Sequence, residues 1–339
     1  MNHTPLLAAA ELAVAQASIV CRHVQATLDQ VRAITKDDKS PVTVADFASQ
    51  AVVSRILTEH FGNVVLVGEE SSTFLRDPAH SSHLAAAVDA ARTVWPDVTP
   101  EALLSAIDHG NARNVPVSRT FWTLDPVDGT KGFLRGQQYA VALAFIESGH
   151  PVVGVLGCPN LPPGDNARFD LPHAQGTILS AVRGRGTYER PCTKEPAHAQ
   201  SRVHHTPRRP AAPVRACESA EAAHSDHSSV SAIMAALGPA GEPARLDSQC
   251  KYAVVARAQA DVYLRMPSAK LYLEKIWDHA AGSLVAQEAG CTVSDVRGNP
   301  LDFSRGTELT ENRGIVVAPP ALHARVIKTI ASLGLAPTA

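Results

Sequence analysis

Trp122-Thr-Leu-Asp-Pro-Val-Asp-Gly-Thr-Lys-Gly-Phe133 sets two carboxylates, Asp125 and Asp128, three residues apart around a proline, with Gly129 and the hydroxyl of Thr130 directly behind them. Thr123 and Leu124 read as the end of a buried strand, which Pro126 is expected to stop. Asp128-Gly129 then turns the chain toward a helix start. Such a corner aims hard anionic oxygens at one point and leaves backbone N–H groups beside them. That suits a magnesium ion carrying a phosphate. Read alone, an Asp-Pro-x-Asp-Gly string is also compatible with an ordinary Asx turn.

Three further acidic sites stand at predicted element ends. Gly68-Glu69-Glu70-Ser71 follows the apolar run Val64-Val65-Leu66-Val67. Trp277-Asp278-His279-Ala280-Ala281-Gly282 opens a helical pattern carried on by Leu284, Val285 and Ala289. Lys39-Ser40-Pro41-Val42-Thr43-Val44-Ala45-Asp46 leads into another helical stretch. Any one of these acids has an ordinary reading, as a dipole-favoured first-turn residue or a solvated loop. Together they are what a metal centre needs.

On these motifs the chain resembles the lithium-sensitive, Mg²⁺-dependent phosphomonoesterases that include inositol monophosphatase. Within that superfamily it is most similar to the 3′(2′),5′-bisphosphate nucleotidases. That branch is suggested by Lys131-Gly-Phe-Leu-Arg-Gly136, His224, Asp247-Ser-Gln-Cys-Lys-Tyr252, Asp261-Val-Tyr-Leu-Arg265 and Glu274-Lys-Ile-Trp277. The resemblance covers about residues 8–333. It implies a layered α-β-α-β-α sandwich and two to three Mg²⁺ ions. Glu69, Asp125, the Val127 carbonyl, Asp128 and Asp278 would hold the ions, with Glu70 supporting them from behind. Asp46 and Thr130 would orient and deprotonate the attacking water. Gly129 and Thr130 would hold the scissile phosphate, with Asp128 beside it.

Substrate choice is a second layer. Ser248 and Lys251, three apart, are expected on one helix face, with Arg265 at the end of a neighbouring strand. Together they would grip a second, non-reacting phosphate, Arg265 in bidentate fashion. His224 is the candidate adenine contact. The expected reaction is release of the 3′-phosphate of adenosine 3′,5′-bisphosphate, giving AMP, with 3′-phosphoadenosine 5′-phosphosulfate as a further substrate. The alternatives are an inositol phosphate phosphatase and a nucleotide-binding sensor without turnover. Intact water-activating residues argue against the sensor.

Composition sets bounds. The chain has 339 residues, 45% apolar and only 5% aromatic, so aliphatics and alanine must fill the core. With 31 basic against 33 acidic residues the net charge is −2, which gives no electrostatic footprint for a nucleic-acid polymer. A small-molecule nucleotide is the expected partner, with no membrane, for a monomer. The six cysteines are scattered, without a C-x-x-C pair, so reduced thiols in a cytoplasmic protein are expected. Residues 6–33 read as an amphipathic packing helix. A transit peptide is the weaker alternative, because Glu11 and Asp29 interrupt it.

Helices and strands alternate along the chain, which predicts a layered α/β architecture. Two halves are expected, 1–150 with most metal ligands and 151–339 with the nucleotide-binding residues and Asp278. The segment 190–213, with His204-His205, reads as an exposed connection. Arg183-Gly-Arg-Gly186 reads as a hairpin turn, and Gly129-Thr130-Lys131-Gly132 lacks the upstream glycine spacing of a Walker A loop.

Overall fold

The computed structural model describes residues 2–28, 44–112, 120–164, 169, 172–193, 200–206, 212–219, 227–267 and 272–336. Two helices open the described chain, α1 (Thr4–Ala26) and α2 (Val44–Phe61). After β1 (Leu66–Gly68) come α3 (Ser81–Arg92) and α4 (Pro100–Asp108). Then follow β2 (Phe121–Asp128), the short α5 (Thr130–Leu134), β3 (Ala140–Glu147) and β4 (His150–Cys158). Next are β5 (Thr177–Val182), β6 (Gly186–Pro191) and β7 (Ser201–Val203). The remaining elements are β8 (Ala216–Glu218), α6 (His227–Leu237), β9 (Ala244–Arg245), α7 (Cys250–Ala256) and β10 (Val262–Arg265). They close with α8 (Ala280–Glu288), β11 (Thr292–Ser294), β12 (Ile315–Ala318) and α9 (Pro320–Ser332).

Strands β1 to β7 form one sheet in sequence order, parallel only at β1–β2. The second sheet runs β11-β12-β10-β8-β9. Residue 150 opens β4, so the larger sheet draws strands from both sides of that position.

The strand period of two sorts the core into layers. On β3, Val141, Leu143 and Phe145 pack with α1 and α2, while Ala140, Ala142 and Ala144 face the other way. That second face meets α7 and α8, which also cover the inner face of the smaller sheet through Tyr263, Ile315 and Val317. The outer face, with Val262, Leu264 and Val316, packs on α6 and α9. The result is the α-β-α-β-α sandwich that the resemblance implied.

Three local readings change. Pro126 does not end its strand. The pairing of β2 with β3 shifts register between Asp125 and Asp128, so one extra residue bulges out and the missing proline N–H costs no ladder bond. Within the segment 190–213, part of which lies outside the described residues, β7 pairs with β6 and His205 is buried against the Val255 carbonyl at 2.7 Å. Finally, Ser248 is not on a helix. It stands in the left-handed region at φ +71°, two residues ahead of α7, so no helix face carries it together with Lys251.

α1 is long and apolar enough to cross a membrane by length and composition alone, yet 56% of that stretch is buried inside the protein. Its Glu11 is buried too, accepting from the Ser180 hydroxyl at 2.5 Å and facing Arg190 Nε at 3.5 Å. All six cysteines are buried free thiols.

Candidate active site

The bulge in β2 builds the centre of the site. The Asp125 carboxylate accepts the Val127 N–H at 3.1 Å, and the Pro126 carbonyl accepts the Ser49 hydroxyl of α2 at 3.0 Å. The Thr130 hydroxyl donates to the Val127 carbonyl at 3.2 Å. Gly129 stands at φ +86°, and a Cβ there would lie 2.9 Å from Cβ of Ser248. Only glycine satisfies both the left-handed turn and that close approach.

Four elements bring acids to this corner. Asp46 lies in the first turn of α2 and is buried. One turn further on, Gln50 clamps the loop after β1. Its Oε1 accepts the Glu70 N–H at 3.0 Å, and its Nε2 donates to the Glu70 carbonyl at 2.7 Å. Glu69, held by that loop, is exposed as a residue, but its carboxyl is turned toward Asp125 and Asp128. Asp278 sits two residues ahead of α8.

The electrostatics mark these groups as one cluster. Burial and then the charge of Asp128 push the Glu69 carboxyl up to about 7. Asp125 is raised well above the usual carboxylate range by burial, with Glu69, Asp128, Asp278 and Asp46 adding to it. Burial, followed by Asp128, raises Asp278 in the same way. Asp128 is raised by burial but relieved by Lys251 and by the Gln249 N–H, which reaches its Oδ2 at 2.5 Å. Buried carboxylates that oppose one another's ionisation are a set of hard oxygen donors suited to a divalent cation.

The residues expected at the second phosphate surround this cluster. Lys251 is buried, with Nζ 3.5 Å from the Leu246 carbonyl and 5.4 Å from the Tyr263 ring centre. Burial lowers its pKa and Asp128 pushes back. Arg265 spends its Nε and Nη2 on the two oxygens of Glu274, both at 2.8 Å. Glu274 also receives His279 Nε2 at 3.1 Å, and His279 Nδ1 meets the Tyr252 hydroxyl at 2.9 Å. Burial lowers the His279 pKa, against the opposing pull of Glu274. Glu274, Asp278 and His279 bring their ligand atoms within 4.8 Å of one another. Because Glu274 and His279 are already engaged, only Asp278 of the three faces the acid cluster as a donor to spare.

Two of the branch-specific motifs meet in space. Arg135 Nη2 binds Asp247 Oδ2 at 2.6 Å, joining the end of α5 to the turn before α7. His224 lies outside the described residues. The sequence assigned no role to Gln50, Gln249 or Glu274. For Gln50 a signal existed, a polar residue one turn after Asp46 and so on the same helix face.

A family model described as "Inositol monophosphatase family" matches residues 2–335. The 3′(2′),5′-bisphosphate nucleotidase of Schizosaccharomyces pombe is 42% identical over 309 residues, 89% of this chain and 86% of that protein. The protein of the same name from Emericella nidulans is 40% identical over 339 residues, 95% of this chain and 96% of its own length. The Oryza sativa protein of that name is 40% identical over 96% of this chain and 93% of its own. Among solved structures, inositol monophosphatase from Anabaena has a TM-score of 0.61 at 17% identity, covering 98% of this chain and 97% of that one. A bacterial member of the same family from Bacteroides thetaiotaomicron has a TM-score of 0.58 at 22% identity, covering 93% and 97%. Family model, relatives and fold agree: the chain belongs to the inositol monophosphatase family.

Proposed function

We propose that this protein is a Mg²⁺-dependent 3′(2′),5′-bisphosphate nucleotidase, which hydrolyses adenosine 3′,5′-bisphosphate to AMP and phosphate and also accepts 3′-phosphoadenosine 5′-phosphosulfate. The observation that carries the chemistry is the cluster of mutually opposed carboxylates at the β2 bulge. The names of relatives about 40% identical over most of the chain support the substrate.

The donor set is Glu69, Asp125, Asp128, Asp278 and the Val127 carbonyl, all oxygen and mostly anionic, which fits magnesium. When bound, two to three Mg²⁺ ions would neutralise phosphate oxygens, lower the pKa of a bound water and stabilise the leaving oxygen. The chain's own residues do the rest. Asp46 and Thr130 orient the water and take its proton, and the Thr130 hydroxyl leaves its resting bond to Val127 to do so. The N–H groups of Gly129 and Thr130 hold the scissile phosphate. Ser248, Lys251 and Arg265 supply the grip on the second phosphate. Since Glu274 occupies the Nε–Nη2 edge of Arg265, a phosphate would meet that guanidinium from its Nη1 side. His224 is kept as the adenine contact.

The test is phosphate release from a panel of nucleotides and inositol phosphates. Adenosine 3′,5′-bisphosphate should be the best substrate with Mg²⁺, inert with chelator, and spared when Li⁺ is added in excess. Faster turnover of inositol 1-phosphate or inositol 1,4-bisphosphate would transfer the protein to the inositol phosphatases. Full activity in chelator would end the metal mechanism.

A further inference from the structure

Gln249 stands between the two acids that come from different halves of the fold. Its backbone N–H donates to Asp128 Oδ2 at 2.5 Å. Its side-chain Nε2 donates to the Trp277 carbonyl at 2.8 Å, the peptide directly ahead of Asp278. Its Oε1 accepts the Gly282 N–H at 2.9 Å, one of the first-turn donors of α8 that has no partner within the helix. The residue is 2% exposed, so water does not compete for these bonds. The amide orientation is fixed by its partners, since a carbonyl demands the NH₂ side and an N–H demands the oxygen.

We infer that Gln249 is a positioning residue for metal binding: one side chain and its own backbone set the spacing of Asp128 from Asp278. The inference rests on the metal site proposed above. Its physical ground is that the residue whose N–H binds Asp128 Oδ2 also holds the peptides on either side of Asp278, while the two like-charged side chains repel across the site. Left to themselves, the two loops would relax apart. The Gln249 side chain ties the Trp277–Gly282 turn to the residue that already binds Asp128, so the two carboxylates are held close before any cation arrives. Pre-arranged ligands of this kind bind a metal with less reorganisation, and partners standing behind metal ligands typically carry about 10- to 100-fold in affinity. Tyr252 adds a second prop, packing against Gly282 so closely that a Cβ there would sit 2.3 Å from its ring, but it makes no bond to Asp128.

The test uses Gln249→Met, which keeps the length and volume of the side chain and removes both of its hydrogen bonds. Mg²⁺ alone is titrated into the full-length protein by calorimetry, and the Mg²⁺ concentration for half-maximal rate is measured in parallel. The expected result is an affinity for Mg²⁺ about tenfold weaker, with much of kcat regained at saturating Mg²⁺. An unchanged Mg²⁺ affinity, or a lower kcat that excess Mg²⁺ does not recover, overturns the inference, because a purely structural glutamine would lower the active fraction without moving the titration. Asp128→Asn separates this from the underlying reading: if it leaves Mg²⁺ binding intact, the metal site is wrong, whereas if it abolishes binding while Gln249→Met is silent, only the role of Gln249 falls. Amide exchange of the wild-type peptide spanning residues 277–282 gives a check that needs no variant to fold. Protection should rise on adding Mg²⁺, and identical exchange with and without Mg²⁺ rejects the coupling.

Discussion

At the scale of single residues, Lys251 departs most from what its sequence position suggested. A lysine three residues after a serine, in a polar motif, was expected to reach outward to a phosphate. It is instead buried, and its ammonium is the largest favourable influence on Asp128. Removing it would therefore disturb the acid cluster as well as any second-phosphate contact. For Lys251→Met, the catalytic efficiency should fall about ten- to a hundredfold on adenosine 3′,5′-bisphosphate, the range for a lost charge-assisted contact. The loss on adenosine 3′-monophosphate should be smaller but distinct. An untouched rate on the monophosphate would show that the lysine serves the second phosphate alone.

At the scale of elements, the end of β2 shows how one irregularity creates a site. A regular strand would send Asp125 and Val127 to one face and Asp128 to the other. The bulge around Pro126, followed by the left-handed Gly129, brings Asp125, the Val127 carbonyl, Asp128 and Thr130 to one corner. Gly129→Ala must force an alanine into the left-handed region, at roughly 1–2 kcal/mol, and press its Cβ on Ser248. The melting temperature should drop by several degrees and the Mg²⁺ titration should weaken. A variant with normal stability and normal Mg²⁺ response would mean that the corner is not as tight as drawn.

At the scale of the whole molecule, folding drives like charges together. Unfolded, Glu69 ionises near its ordinary value of 4.5, whereas folded it holds its proton up to about 7. Below pH 4.5 both states are protonated and nothing is lost. Between about 4.5 and 7 the unfolded chain has released the proton and the folded one has not, so stability falls as pH rises, and above about 7 the full penalty remains. Asp125 and Asp278 are shifted the same way. In chelator, the melting temperature should therefore decline from pH 5 to pH 8. Adding Mg²⁺ should restore more of it at pH 8 than at pH 6, because ligation needs the ionised carboxylates. A melting temperature that rises with pH in chelator, or an equal Mg²⁺ effect at both values, would contradict the shared acid cluster.

Much of this was legible in the chain. Asp46, Glu69, Asp125, Asp128 and Asp278 stand at the ends of helices and strands whose apolar periodicity announces them, and the glycine after Asp128 marks the turn. Local signals sufficed there because burial pattern and turn chemistry are written in neighbouring residues. What the sequence could not give is everything that depends on distance through space. The proline of a bulged strand looks like a strand stop until β3 supplies the register. Arg265 looks available for a phosphate until Glu274, nine residues on, takes one edge of its guanidinium. Gln249 carries no signal of its own. Its importance comes from three partners 28 to 121 positions away, which only the packing of α7 between the two sheets brings within hydrogen-bonding reach.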